Sequence, residues 1–152
     1  MQHSYHRYNA ETFIIHIDSF EKGILSGQFC RPSQGRVWKF ESLLQLLVAM
    51  EQCLEESNEP QAFTAMRSFW AKEMPQEEEN EQVFLGNGKV ASFTVQIMFR
   101  RNTSWQGTVT WMEEGEKRNF RSVQELIFLL NSALSVKQSC LQYSYPLQQI
   151  PV

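Results

Sequence analysis

No apolar run in this sequence approaches the roughly 18 residues that a membrane-spanning helix needs. The opening residues, Met1 to Asn9, carry no apolar core of the kind a secretory signal has. Cysteine is scarce: Cys30, Cys53 and Cys140 are odd in number, widely spaced and without a C-x-x-C pair. That pattern argues against a disulfide framework and suits reduced thiols in the cytoplasm. Positive charge is not in excess either, since 14 Lys and Arg stand against 17 Asp and Glu. A net charge of −3 argues against general nucleic-acid binding, which rests on neutralising phosphates. No catalytic, metal or nucleotide motif stands out. His3-x-x-His6 lacks a third ligand at suitable spacing. His16 falls on the polar side of an expected strand with no partner in view. Neither Cys30 nor Cys140 has an adjacent base, and the carboxylates scatter over turns and helix backs. The expectation is a protein with no metal, no cofactor and no enzymatic role.

What is present is enough apolar material for a substantial core. With 42% apolar and only 20% charged residues in 152, global disorder is not expected. The chain reads as one domain, or two small units sharing a core. It also matches itself. Displaced by 80 residues, 12–54 aligns without a gap on 92–134. Identities fall at Phe13/Phe93, Ile17/Ile97, Gly27/Gly107, Gly35/Gly115, Phe40/Phe120, Ser42/Ser122, Leu46/Leu126 and Leu54/Leu134. Fixed-offset similarity of this kind points to a repeated structural unit, and two copies are too few for a solenoid.

Each unit reads as three strands and a helix. Phe13, Ile15 and Ile17 alternate with Thr12, Ile14 and His16, a turn follows at Glu21-Lys22-Gly23, and Leu25, Gly27 and Phe29 share the next strand's face. A second turn at Pro32-Ser33-Gln34-Gly35 leads into a short strand, Arg36 to Phe40. Ser42 with Gln45 forms a capping pair before a helix, Leu43 to about Glu56, striped with Leu43, Leu46, Leu47, Met50 and Leu54. The second copy runs Val90 to Phe99, Trp105 to Trp111 and Lys117 to Phe120. Ser122 and Glu125 then open a helix to about Leu134. Between the copies, Asn58-Glu59-Pro60 starts a linking helix with Phe63, Met66, Phe69 and Trp70 on one arc, ended by Met74-Pro75. An acidic linker covers Gln76 to Glu81.

The expected class is therefore α+β: a duplicated βββα unit, each a three-stranded antiparallel meander plus helix, with an extra linking helix. The boundaries are 1–56 for the first repeat with its arm, 57–81 for the linking helix and linker, 82–136 for the second repeat, and 137–152 for an extended tail. One six-stranded sheet and a stacked half-barrel both fit the pattern, and oligomeric state is left open.

The stretch F-R-R-N-T-S-W-Q-G-T-V-T-W (Phe99 to Trp111), followed by N-F-R-S-V-Q-E-L, resembles a group of short, uncharacterised bacterial proteins. Those carry an R-x-N-x-S-W-Q-G-x-V-x-W hairpin and then an F-R-S-x-x-E-L helix start. The likeness covers about Phe93 to Leu134 and implies a fold boundary but no chemistry. A fainter one joins Asn102, Ser104 and Gly107 to the N/D-x-S-x-x-G element of PilZ domains, which bind a cyclic dinucleotide. Those domains also need an R-x-x-x-R pair, which this chain lacks.

The candidate site is this hairpin's tip. Arg100, Arg101, Asn102 and Trp105, with Lys117, Arg118 and Arg121 beside them, form an expected exposed basic-aromatic patch. The competing reading makes the arginines turn solubilisers, Asn102 a turn residue, and Trp105 and Trp111 core. The patch suits a macromolecular partner, first of all another protein. A phosphate-containing small ligand of the cyclic-dinucleotide kind is the second reading, and nucleic acid through the same arginines the third.

Overall fold

The computed structural model describes residues 10–57, 60, 69, 88–101 and 103–143, with side chains in the final helix followed to Lys137. The expectations for the N-terminal arm, the linking helix, the acidic linker, Asn102 and the last nine residues lie outside these.

Among the described residues eight elements follow in order: β1 (Glu11–Glu21), β2 (Ile24–Arg31), β3 (Arg36–Phe40), α1 (Leu43–Ser57), β4 (Ala91–Phe99), β5 (Gln106–Trp111), β6 (Glu116–Phe120) and α2 (Val123–Tyr143). All six strands join one antiparallel sheet in the order β3-β2-β1-β4-β5-β6. The fold is thus α+β, and of the two arrangements left open by the sequence it adopts the single sheet.

The two halves meet at β1 and β4. Ile14 lies opposite Thr94, its own counterpart at the 80-residue offset, with Glu11 opposite Ile97 and Ile17 opposite Ala91 on either side. Register shifts fall at equivalent places, between Ile17 and Ser19 and between Ile97 and Phe99. The shared glycines have one cause. A Cβ at Gly27 would lie 1.9 Å from the His16 carbonyl oxygen, and one at Gly107 1.8 Å from that of Gln96. Backbone this close admits only a missing side chain. Gly35 and Gly115 hold positive φ in the turns before β3 and β6.

Alternation places Phe13, Ile15, Ile17, Phe29, Phe93, Val95, Ile97, Val109 and, from the edge strands, Phe40 and Phe120 on one face. There they join Leu46, Met50 and Leu54 of α1 and Leu126, Leu130 and Leu134 of α2 in a continuous core. Each such side chain stabilises the fold by about 1.5–3 kcal/mol on burial. α1 lies over β2 and β3, α2 over β5 and β6.

Both helix starts are capped where the sequence indicates. The Gln45 and Glu125 amides donate to Ser42 Oγ and Ser122 Oγ, each at 3.1 Å. Gln45 Oε1 in turn accepts from the Glu41 amide at 2.8 Å, whereas Glu125 pairs with Arg121. One boundary needs correcting. The helix expected to stop near Leu134 continues to Tyr143, taking in the start of what read as an extended tail. Between Leu134 and Pro146 there is no proline or glycine to break it.

Candidate functional site

The β4–β5 tip does not present the patch that the sequence suggests. Arg100 is only 3% exposed and folds over the end of α1. Its guanidinium donates to the Leu54 carbonyl at 3.3 Å, to the Pro60 carbonyl at 3.1 Å and to Glu51 at 2.8 Å, and it also pairs with Glu55. Trp105, equally buried, donates its indole N–H to the other oxygen of Glu51 at 2.6 Å. An exposed position for these two residues is therefore corrected. The α1 carboxylates satisfy both, and the negative end of the helix draws the cation.

A second arginine holds the same helix end from the other side. Arg31 is 1% exposed and donates to Glu11 at 2.7 Å, to the Cys53 carbonyl at 2.8 Å and to Ser57 Oγ at 2.8 Å, while lying over the Phe13 ring. Burial by itself would lower its pKa. The Glu11 hydrogen bond and charge, helped by Cys53 and Glu56, outweigh that and raise it, so the guanidinium stays charged. Sequence reading passed over Arg31, because its partners lie 20 to 26 residues away in the chain.

Four of the candidate cations remain outward. Gln106 ties Arg101 and Arg121 together. Its Nε2 donates to the Arg101 carbonyl at 3.2 Å and the Arg121 carbonyl at 3.4 Å, and its Oε1 accepts from the Arg101 amide at 3.0 Å. Lys117 and Arg118 lie on the edge strand β6, where Arg118 pairs with Glu116 at 2.8 Å. Arg121 pairs with Glu125 at 3.3 Å. Of the PilZ-like triplet, Ser104 accepts the Val123 amide at 3.1 Å and Gly107 is demanded by strand packing, so both have structural duties.

His16 is not partnerless on an open face. It is 8% exposed, engaged with its surroundings, and its pKa is lowered by burial against the opposing pull of Asp18 and Glu113. Cys30 is buried, and desolvation pushes its thiol upward against the lowering effect of a backbone hydrogen bond at Ile14. Cys53 is buried in the core. Among the described residues no three His, Cys, Asp or Glu gather as a metal site, and no helix is long and apolar enough to cross a membrane.

Among the described residues a concavity is lined from both layers. A half-open cleft of about 210 Å³ lies between α2 and the outer strands β5 and β6. Phe93, Val109 and Trp111 supply its sheet side, Leu129, Ala133 and Val136 its helix side, and Glu116 and Arg118 its rim. The Trp111 indole nitrogen is buried there and finds no acceptor among the described residues.

Set against protein-family models, curated proteins and solved structures, the chain matches none.

Proposed function

We propose that this is a non-enzymatic protein that binds another macromolecule, a protein with an acidic surface, through the β6 edge of its second half. The observation that carries this reading is the pinning of the Arg101 and Arg121 backbone by Gln106, which brings two exposed arginines together next to the outer strand bearing Lys117 and Arg118. Arg100 and Trp105 leave the contact set because their polar atoms are committed inside. The exposed ion pairs with Glu116 and Glu125 contribute little to stability, so a partner carboxylate can replace them at small loss.

A duplication origin for the two halves belongs to the same proposal. It is supported by the eight identities at one offset, the self-pairing of Ile14 with Thr94, and the matching bulges and glycines. A copied scaffold leaves one edge at liberty to specialise.

The test is a nuclease-treated pull-down with wild type and an Arg101→Glu, Lys117→Glu, Arg121→Glu variant whose circular dichroism is unchanged. A protein retained by wild type and lost from the variant is the expected result. Equal capture by both removes the β6 edge from the account. Salt-sensitive capture of nucleic acid without nuclease would move the reading to the third class.

A further inference from the structure

The cleft under α2 has a counterpart in the first half, and there the protein fills it. At the 80-residue offset Arg31 stands for Trp111, Trp38 for Arg118, Glu11 for Ala91 and Cys53 for Ala133. The strand registers agree: Phe29 faces Trp38 as Val109 faces Arg118, and Arg31 faces Arg36 as Trp111 faces Glu116. In the first half the Trp38 ring stacks on Phe29, 5.1 Å between centroids and 9° from parallel. The donor at the Arg31 position meets its acceptor in Glu11. In the second half both complements are missing. Arg118 turns outward to Glu116 and the Lys117 carbonyl instead of laying a ring on the sheet, and Ala91 offers no acceptor to the Trp111 N–H.

We propose that this cleft is a binding site for a small planar aromatic molecule bearing one hydrogen-bond-accepting oxygen. The ring takes the place that Trp38 occupies in the first half, between Val109 and the α2 side chains Leu129 and Ala133. The oxygen accepts a hydrogen bond from the Trp111 indole N–H, as Glu11 accepts one from Arg31. Size agrees: an apolar cavity of about 150 Å³ accepts benzene, so 210 Å³ accommodates one ring with a short polar substituent. A buried donor without an acceptor is an unfavourable state that such a ligand relieves. The site meets the β6 edge proposed for the macromolecular partner only at its rim, through Glu116 and Arg118, and Arg101, Lys117 and Arg121 lie outside its lining.

The experiment is a titration followed by the indole N–H signals in ¹⁵N-labelled protein, with acetophenone as probe and toluene as the ring without an acceptor. Four tryptophans give four signals, and Trp111→Phe identifies the relevant one. The expected result is a saturable downfield shift of the Trp111 signal with acetophenone, at a Kd about tenfold below that of toluene. Arg118→Trp, which rebuilds the first half's filling ring, abolishes the shift. Ala133→Leu does the same from the helix side and serves if the tryptophan variant fails to fold. The absence of a saturable shift, equal affinity for toluene, or a shift that persists in a folded blocking variant overturns the site.

Discussion

The two halves share a frame and differ in how they finish its ends. In the first, the end of β2 carries Arg31, Glu11 answers it from β1, and Trp38 closes the space above Phe29. In the second, the same positions carry Trp111, Ala91 and Arg118, leaving a cleft and a buried N–H. The hairpin tips differ in the opposite sense. Phe20 packs against the core and Leu25 lies within it, whereas their counterparts Arg100 and Trp105 make a polar brace onto α1. Both buried arginine clusters therefore meet at the end of α1. Two buried arginines, one from each half, bind the consecutive carbonyls of Cys53 and Leu54 there. The lesson is that two halves with the same frame can place the ionic cluster at one helix and the vacancy at the other.

The largest effect tests the frame itself. Gly27→Ala and Gly107→Ala each drive a methyl into a carbonyl across the sheet and should destabilise by similar amounts, about 3 kcal/mol by urea denaturation. Tolerance at one position and failure at the other would break the equivalence of the halves. A smaller effect tests the vacancy. Arg118→Trp should stabilise by about 1 kcal/mol, raising Tm by about 3 °C, by covering Val109 as Trp38 covers Phe29. A fall in Tm would mean that the second cleft cannot take the first half's filling.

The smallest effect concerns pH. Because burial holds the folded His16 below its ordinary value of 6.5, the unfolded chain binds its proton first on acidification. This contribution is complete above pH 6.5 and is lost as the pH falls from there through the folded value. Urea midpoints at pH 7.5 and 5.5 should show the decline, and His16→Gln should lessen it. A midpoint drop of the same size in the variant would assign the dependence to other groups.

Local features were legible in the sequence. Alternation marked β1 and β5, Ser42 and Ser122 marked both helix starts, and the glycine turns marked the meanders, because each signal is set by residues a few positions apart. The brace was not legible. Glu51 lies 54 residues from Trp105 and 49 from Arg100, so two residues that look like a hairpin's exposed contacts acquire buried partners only when the sheet brings α1 beside them. The extent of α2 was missed for a different reason: its last turns follow from the absence of a breaker, whereas Leu134 closes the apolar pattern shared with α1.

The brace is the point on which the rest depends, since it decides which cations face outward. A double-mutant cycle of Arg100→Ala and Glu51→Ala, read as unfolding free energy in urea, measures it most directly. A coupling of about 1–3 kcal/mol is expected for a buried, hydrogen-bonded pair. Strict additivity of the two changes would contradict the account and return Arg100 to the hairpin's exposed surface.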